Sequence, residues 1–441
     1  MKTIVALSTP PLNAAVHIIR ISGTEAFNII NQITTTKILK IGYKIQKTKI
    51  IDNQQIIDNV LINTFVTPQS YTGEDLVEIN CHGGYFLANK IIELLIKHGC
   101  VLALPGEFTQ RAFMNNKLTL IEAESINNLI NTTSTQGILL ANNGLHPQVI
   151  MKMHEFKNTL FNLLGQIEIN IDYPEYDDVP NISNTEFKKQ IKSLINTSQK
   201  IINDSMMALP IFEGINVTII GQPNVGKSSL FNAILKESRA IVSSIPGTTR
   251  DVVSAKVNIG GVTINLQDTA GLRISKNTIE KLGILKTHES LSKSALIIWV
   301  IDGSQKNTKE NLWIEKLLFD KNYIKVINKS DLTQKSQAKG IRVSAKNNNI
   351  VNLIKALLKR LQTKLDWNQN TIILQSSHAI GSMQNVNEQL KKTLNIMNQR
   401  QTIDLTLEFL QTALKNIDHI LGNTKEYNFI NELFRKFCLG K

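Results

Sequence analysis

The sequence predicts a multidomain α/β protein in which an α/β domain is inserted into an all-α helical domain and an α+β domain precedes both. Three patterns support this prediction. Residues 1–118 contain short alternating apolar runs that stop at turn residues, whereas 119–212 and 367–441 show helical spacing of their apolar residues. Residues 213–366 alternate strand-like runs with helical stretches, which predicts a mostly parallel sheet covered on both faces.

The composition limits the classes of function. The 441 residues are enough for about three domains, and 49 basic against 36 acidic residues leave a formal charge of +13. This charge favours an anionic partner such as a nucleic acid, a nucleotide or a membrane surface, although a Lys-, Asn- and Ile-rich composition produces it without any ligand.

Cysteine usage and hydropathy indicate where the protein works. The three cysteines form no C-x-x-C pair and leave an odd one, so neither a disulfide framework nor a zinc site is indicated. The longest strongly apolar run, 296–301, is far shorter than the ~20 residues that span a bilayer. We therefore expect a cytoplasmic protein with no membrane partner.

Apolar spacing predicts the elements in order. The runs 4–7 and 17–21 end at turn residues and predict two strands. In the helical region, apolar residues recur at intervals of three and four at Ile150, Met153, Phe156, Leu160, Leu163, Leu164, Ile167 and Ile171. The C-terminal region repeats this spacing at Val386, Leu390, Leu394 and Met397 and at Leu407, Leu410, Leu414 and Ile417.

A glycine-rich loop is the first motif that indicates a chemical function. Residues 221–228 fit the pattern G-x-x-x-x-G-K-S/T between a predicted strand, 216–220, and a predicted helix, 228–235. In that context the backbone amides and the helix N-terminus cradle phosphates, Lys227 adds a positive charge and the Ser228 hydroxyl is a ligand for Mg²⁺. The candidate phosphate-binding residues are Asn224, Val225, Gly226, Lys227, Ser228 and Ser229.

Three further motifs follow predicted strands in the order that a GTPase requires. They are Asp268-Thr269-Ala270-Gly271, Asn328-Lys329-Ser330-Asp331 and Ser344-Ala345-Lys346. A buried carboxylate at Asp331 accepts two hydrogen bonds from guanine, whereas adenine presents an acceptor there and leaves the carboxylate unpaired. The sequence therefore predicts a P-loop domain that binds GTP and Mg²⁺.

The hydrolytic residues depart from the Ras pattern. The position after D-x-x-G, where Ras-like enzymes carry a water-orienting Gln, is Leu272. Glu280 is a candidate to position the water, and Arg250 and Arg273 are candidates to stabilise charge, although each of the three also fits a solvated surface charge. A hydroxyl-rich loop at the switch position contains Ser243, Ser244, Ile245, Pro246, Gly247, Thr248 and Thr249, of which Thr249 would complete the Mg²⁺ shell.

Motifs outside these strings resemble a known family. They are Gly247–Asp251, Tyr71–Asp75, His82–Gly84, Pro105–Phe113 and Cys438–Lys441. Together they resemble the MnmE (TrmE) family of K⁺-activated tRNA modification GTPases along the whole chain. The resemblance implies a Ras-like GTPase domain inserted into the helical domain, behind an N-terminal domain for folate binding and dimerisation.

The resemblance also implies an activity. The family, with the flavoprotein MnmG, adds a carboxymethylaminomethyl or aminomethyl group to the wobble uridine of certain tRNAs, using formyl- or methylene-tetrahydrofolate. It implies a homodimer that joins MnmG in a heterotetrameric or larger complex, with G domains that approach each other when GTP and K⁺ bind. By the same resemblance Glu280 positions the water, and the K⁺ ligands are Asn224, Ser243, Ile245 and Thr248.

The remaining implied residues lie in the N-terminal domain and in the last four residues. The folate site carries over onto Arg20, Glu78, Lys117 and Lys441, and Cys438 becomes a catalytic candidate. This sequence departs from the family pattern at residues 12–15, which lack glycine, and at Ser243 and Pro246. Independently of the family, no two of the 23 glycines are spaced G-x-G, so the dinucleotide fingerprint is absent and a flavin has to come from a partner.

Two other classes of function remain open at this point. A GTP-regulated RNA-binding or ribosome-assembly switch would fit the charge, but a KH-type G-x-x-G loop and an aromatic-basic RNP string are absent from the sequence. A membrane-surface GTPase would need a basic amphipathic helix or a lipid signal, and neither is evident.

Overall fold

The computed structural model describes most of the chain and divides into two compact units. The first comprises Met1–Asn127, Met153–Ile195 and Asn385–Lys441, and the second comprises Asn128–Lys152 and Asn196–Gln384. The described residues are 2–172, 184–237, 253–268, 291, 294–306, 308–333, 335–361, 371–399, 403–423, 434, 437 and 440. The domain boundaries at 118, 212 and 366 stay predictions.

The N-terminal region is α+β, as the sequence predicts. Its elements are β1 (Ile4–Leu7), β2 (Val16–Ser22), α1 (Ala26–Gln32), β3 (Lys44–Asp52), β4 (Gln55–Phe65), β5 (Leu76–His82), α2 (Tyr85–Lys97), β6 (Val101–Leu102) and α3 (Glu107–Met114). The strands form one sheet in the order β3-β4-β5-β2-β1-β6, antiparallel except for the parallel pair β1–β6. The predicted strands at 4–7 and 17–21 are confirmed.

Both faces of this sheet are buried near β1. Because successive side chains of a strand point to opposite faces, Val5 belongs to the core cluster that contains residues of α1 and α2, whereas Ile4 and Ala6 belong to a second cluster with Phe108 of α3. Arg20 of β2 lies beneath the Phe108 ring and thus on this second face. The sheet therefore separates a closed core from a face that carries charged side chains.

The helical region continues the chain. Its first helices are α4 (Leu120–Asn131), α5 (Thr135–Gly144), α6 (Pro147–Asp172) and α7 (Asn184–Glu213). The Ser134 hydroxyl caps α5 by accepting the Gly137 amide at 3.0 Å. The predicted core face of α6 is confirmed where its side chains are described as buried, at Met153, Phe156, Leu160, Leu163, Leu164 and Ile167.

The second unit contains a six-stranded sheet. Its elements are β7 (Ile215–Gly221), α8 (Lys227–Glu237), β8 (Val253–Ile259), β9 (Val262–Asp268), β10 (Leu296–Asp302), α9 (Lys309–Leu317), β11 (Tyr323–Asn328), β12 (Ile341–Arg342) and α10 (Val351–Leu361). The order is β12-β11-β10-β7-β9-β8, and every pair is parallel except β8–β9. The predicted mostly parallel sheet is confirmed.

Strand β8 was not predicted. Its Val253, Ala255, Val257 and Ile259 alternate with polar residues, and a Gly260-Gly261 turn joins it to β9. This is the pattern of a hairpin strand with one covered face. The signal was present in the sequence, and it converts one edge of the parallel sheet into an antiparallel pair.

Two long helices follow the second sheet in the sequence, α11 (Ser377–Asn398) and α12 (Leu407–Leu421). Val386, Leu390, Met397, Leu410 and Ile417 are buried, which confirms the predicted helical faces there. Within the parts of the chain that the structure describes, the search for a helix long and apolar enough to cross a membrane finds none.

Candidate functional site

The nucleotide motifs meet at one edge of the second sheet. Since β7, β9, β10 and β11 are parallel, their carboxyl ends at Gly221, Asp268, Asp302 and Asn328 lie along the same edge. Strand β9 pairs with β7 on one side, and β10 pairs with it on the other side. Ligands of open α/β sheets bind at this kind of switch point, and the loop after β7 occupies it.

The geometry of that loop requires glycine. Gly226 has φ +95°, and a Cβ atom there would lie 2.2 Å from Nδ2 of Asn328. Asn224 also has a positive φ of 62°, and the first helical residue of α8 is Lys227. The tight turn thus leads directly into a helix N-terminus, where unpaired amides attract phosphate.

The lysine of the loop lies over its own backbone. Lys227 Nζ donates to the carbonyl oxygens of Gly221 at 3.0 Å and Gln222 at 2.8 Å. Ser228 and Ser229 are exposed in the first turn of α8, whereas Val225 is buried. The loop therefore presents an ammonium group and two hydroxyl-bearing residues beside the helix N-terminus.

One amide side chain joins two of the motifs. Nδ2 of Asn328 donates to the Val225 carbonyl at 2.9 Å, and Oδ1 of Asn328 accepts the Ala345 amide at 3.1 Å. Asn328 is only 3% exposed, so both bonds are shielded from water. The phosphate loop and the Ser344–Lys346 loop are thus held together by a residue predicted from a third motif.

Asp331 differs from its predicted environment. The carboxylate is exposed rather than buried, because Asp331 lies in a turn beyond the end of β11. Ser344 donates to its Oδ1 at 2.6 Å, and this bond together with a backbone hydrogen bond and the charges of Lys346 and Lys329 holds the pKa of Asp331 below its ordinary value. An ionised, oriented carboxylate is what a guanine reader requires.

A second carboxylate was missed from the sequence. Asp302, buried at the end of β10, accepts from Lys329 Nζ at 2.7 Å and from the Ser304 amide and hydroxyl at 2.9 and 2.6 Å. Burial alone raises its pKa, but these hydrogen bonds and the Lys329 charge outweigh it and lower the pKa of Asp302. An Asp-Gly-Ser turn directly after a buried strand was the available signal.

Much of the predicted hydrolytic machinery lies outside the described residues. Asp268 ends β9 opposite Ile219, but its side chain is outside the description. Also outside are Ser243, Ser244, Ile245, Pro246, Gly247, Thr248, Thr249, Arg250, Thr269, Ala270, Gly271, Leu272, Arg273 and Glu280. Their roles stay predictions.

A second candidate site lies on the N-terminal sheet. Arg20 of β2 and Glu78 of β5 are direct cross-strand partners, and Nε and Nη2 of Arg20 donate to Oε1 of Glu78 at 3.0 and 2.8 Å. Arg20 also donates through Nη1 to the carbonyl oxygen of Gly440 at 3.2 Å, to which Ser8 donates at the same distance. Gly440 of the C-terminal motif therefore lies beside the predicted folate residue Arg20.

Aromatic rings line this second site. The Arg20 guanidinium lies 5.4 Å from the Tyr71 ring centroid and 5.7 Å from that of Phe108. Burial raises the pKa of Tyr71 despite the opposing effects of its hydrogen bond with Thr109 and the Arg20 charge, so the phenol stays protonated. A half-buried ion pair flanked by rings offers donors, acceptors and stacking surfaces to a planar ligand.

The other predicted folate residues are less directly placed. Lys117 is exposed, and its side chain lies beside Gly73, where a Cβ atom would be 3.1 Å from its Cγ. Lys441 and Cys438 lie outside the described residues. The structure thus brings Arg20 and Glu78 together and leaves the roles of the two terminal residues as predictions.

The loop that departs from the family pattern is tightly packed. The Ala14 amide donates to the Gly83 carbonyl at 2.8 Å, and the Gly83 amide donates to the Ala15 carbonyl at 3.2 Å. A Cβ atom at Gly83 would lie 2.0 Å from the Ala14 oxygen. Close approach of the two segments is therefore provided by Gly83 rather than by glycines at residues 12–15.

Comparison with known proteins places both sites in one family. A family model described as the N-terminus of the GTP-binding protein TrmE matches residues 3–117, and one described as the MnmE helical domain matches residues 120–438. A tRNA modification GTPase MnmE from Ureaplasma parvum serovar 3 is 44% identical over 441 residues and covers all of both chains. This chain belongs to the MnmE family of tRNA modification GTPases.

Other MnmE proteins are similar along their whole length. That of Malacoplasma penetrans is 43% identical, covering 100% of this chain and 99% of its own, and that of Mycoplasma genitalium is 37% identical, covering 99% of each. Among solved structures, Era of Aquifex aeolicus shares 24% identity over 40% of this chain and 66% of its own, with a TM-score of 0.27. The FeoB G domain of T. maritima shares 24% identity over 34% and 99%, with a TM-score of 0.26.

Proposed function

We propose that the protein is a GTP hydrolase that acts with a flavoprotein partner to add a carboxymethylaminomethyl or aminomethyl group to the wobble uridine of certain tRNAs. Membership of the MnmE family over the full chain supports this proposal. The observation that carries the GTPase part is the assembly of the Lys227 loop, Asn328 and Ser344–Asp331 at one sheet edge.

Among the residues that the structure describes, Ser228 and Asn224 are the ones that would hold Mg²⁺ and K⁺. Ser228, exposed beside the loop, would hold Mg²⁺ with Thr249, and the metal would neutralise phosphate charge. Asn224, exposed on the left-handed turn of the loop, would be one K⁺ ligand, with Ser243, Ile245 and Thr248 as the others. Because Leu272 cannot orient a water, we assign that role to Glu280.

The chain's own groups explain how phosphate transfer is assisted. Amides of the loop and of the α8 N-terminus would bind the phosphates of GTP. Lys227, which donates to the Gly221 and Gln222 carbonyls in the structure, would move to the phosphate oxygens and supply a cation there. Ser344 orients Asp331 toward the base, so guanine is selected over adenine. Asn328 keeps these two regions in register.

The N-terminal site fits a tetrahydrofolate derivative. Glu78 would accept hydrogen bonds from the donor edge of the pterin, and Arg20, bonded to Glu78, would orient that carboxylate. Lys117 and Lys441 would face the anionic tail. The bound group would supply the one-carbon unit. Tyr71 and Phe108 flank the ion pair and would exclude water from one side of the ring. We place Cys438 in the group transfer because Gly440, two residues later, lies at this site.

Partners and location follow the same proposal. We infer a cytoplasmic homodimer that works with MnmG and tRNA, since the absence of a G-x-G dinucleotide fingerprint assigns the flavin to another chain. Full-length family membership also favours tRNA modification over the ribosome-assembly switch that the sequence left open.

The decisive experiment measures modified nucleosides. In a strain that lacks its own enzyme, total tRNA is analysed by mass spectrometry with this gene, its Lys227→Ala variant or its Cys438→Ser variant, each co-expressed with the cognate flavoprotein. Return of the wobble modification with the intact gene and with neither variant is the expected result. If the intact protein hydrolyses GTP but restores no modification, the tRNA part of the proposal fails and the ribosome-assembly switch replaces it.

A further inference from the structure

The positive charge of the chain is concentrated in one segment. Residues 320–361 contain ten basic and two acidic residues, so they carry +8 of the formal +13 in less than a tenth of the chain. This segment forms β11, β12, α10 and their connections, all within the second unit. The nucleotide site uses only Lys329 and Lys346 among these ten, which leaves most of the charge without a role.

The structure gathers part of this charge around a groove. A cavity of about 530 Å³ opens where β11 and β12 begin, and Lys321, Lys325 and Arg360 are among its lining residues. Strand β11 runs from this groove at Tyr323 to the nucleotide edge at Asn328. The two sites therefore lie at opposite ends of the same strands, and a ligand in the groove leaves the nucleotide edge open.

The arginine of the groove is held in one orientation. Arg360 Nη1 donates to Oδ1 of Asn322 at 2.6 Å and to the Tyr323 carbonyl at 3.3 Å. Arg360 is exposed, and its remaining guanidinium donors form a planar fork that suits phosphate oxygens. Lys325 is partly neutralised by Glu315 at 2.6 Å, so the net charge of the groove comes mainly from the other basic residues.

Three exposed lysines line the groove or stand next to a lining residue in the sequence. Lys321 lines it, Lys339 precedes the lining residue Gly340, and Lys359 precedes Arg360. None of these three lysines forms an ion pair with any residue that the structure describes. Like charges concentrated in a segment with few carboxylates raise the local potential and attract a polyanion. The lining also includes Tyr323, Ile324, Ile341 and Ala356, so the basic side chains adjoin an apolar floor.

We propose that this basic groove, lined by Lys321 and Arg360 and with Lys339 and Lys359 adjacent to its lining residues in the sequence, binds the phosphate backbone of tRNA. The inference rests on the proposed function, because that function supplies the RNA. Contacts of this type position the nucleic acid without reading its sequence. The groove would hold the tRNA body on the nucleotide-binding domain while the wobble base is modified elsewhere.

The test compares two variants that lose the same charge. The groove variant is Lys321→Gln/Lys339→Gln/Lys359→Gln, and the control is Lys188→Gln/Lys192→Gln/Lys200→Gln on α7. Binding of total bacterial tRNA to the full chain is measured between about 50 and 200 mM NaCl. We expect the groove variant to bind at least about tenfold more weakly at low salt, with a slope of log K against log salt shallower by about 2 to 3. The control should match the intact chain.

Three results would overturn the inference. If the groove variant binds tRNA as tightly as the control and restores the modification, the groove is not the RNA site but the proposed function stands. If the groove variant keeps its tRNA affinity but no longer binds the flavoprotein, the groove is a protein interface. If the intact chain neither binds tRNA nor restores the modification, the proposed function fails with it. GTP hydrolysis should be unchanged in both triple variants, which reports that they fold, and Arg360→Gln alone should reproduce part of the loss.

Discussion

Asp331 carries the choice of base at the end of β11. The Ser344 hydroxyl holds this carboxylate at 2.6 Å and keeps it ionised. In Asp331→Asn, the amide donor faces the two guanine donors, so we expect GTP to bind roughly 100-fold more weakly and xanthosine triphosphate more tightly. Nucleotide titrations with both triphosphates measure the change. Unaltered selectivity would remove Asp331 from base recognition, and Ser344→Ala should cause a smaller loss in the same direction.

Asp302 predicts a pH dependence. Its pKa is lowered in the folded protein by Lys329 and Ser304, so the pair stabilises the fold above the ordinary pKa of 3.8 and the contribution is lost as the pH falls through the folded-state pKa. Asp302→Asn should therefore lower the Tm at about pH 6, and the difference from the intact chain should shrink toward about pH 3.

Fluorescence isolates this transition. The three tryptophans, at 299, 313 and 367, lie in or next to the predicted nucleotide-binding domain, so their emission follows its unfolding. Asp320→Asn is the matched control, because it removes an exposed carboxylate instead of a buried one. A Tm difference for Asp302→Asn that stays constant with pH would contradict the assigned ion pair.

Glu78 tests the N-terminal site. Glu78→Gln keeps the shape of the side chain but removes the charge that pairs with Arg20 and would accept the pterin. We expect tetrahydrofolate to bind roughly 10- to 100-fold more weakly, the loss of a charge-assisted hydrogen bond, with GTP hydrolysis unchanged. Calorimetry with a formyl derivative measures the affinity. Glu93→Gln on α2 should bind normally, and equal affinities for both variants would move the folate site elsewhere.

At the scale of elements, the loop between β7 and α8 depends on its turn. A Cβ atom at Gly226 would meet Asn328 Nδ2 at 2.2 Å, so Gly226→Ala must displace either the loop or the side chain that joins it to Ala345. We expect GTP affinity to fall at least about tenfold.

The hairpin between β8 and β9 provides the matched control. Gly261 has a similar φ of 86°, but a Cβ atom there has no neighbour within 4 Å. Gly261→Ala should cost about 1–2 kcal/mol of backbone strain without altering GTP affinity. If both variants lose GTP equally, left-handed strain rather than contact with Asn328 explains the effect.

The elements also show where local pattern is sufficient. Apolar spacing located β1, β2, β7 and the buried face of α6, because strand and helix periods are properties of neighbouring residues. It missed β8, whose alternation was readable but whose hairpin interrupts an otherwise parallel order. Whether the next strand pairs as a hairpin or as a crossover depends on which edge of the sheet is free, and the local sequence does not contain that information.

At the scale of the whole molecule, hydrolysis should depend on the monovalent ion. The proposed K⁺ ligands include Asn224, on the left-handed turn of the phosphate loop. Exchanging K⁺ for Na⁺ at constant ionic strength should slow GTP turnover at least about tenfold while GDP affinity stays the same, because the ion replaces a catalytic positive charge. Steady-state rates in the two salts measure this. Equal rates would return the missing charge to Arg250 or Arg273.

The sequence by itself determined the order of the elements other than β8, the phosphate loop and the motifs at strand ends, because each depends on residues within a few positions of one another. Only the tertiary structure decided that Asn328 joins two motifs and that Asp302 pairs with Lys329. It also decided that Arg20 pairs with Glu78, 58 positions further along the chain, and that Gly440 lies beside Arg20. Strand register and the pairing of distant segments depend on the burial of whole faces of a sheet. Contacts between distant segments therefore have no signature in the local sequence.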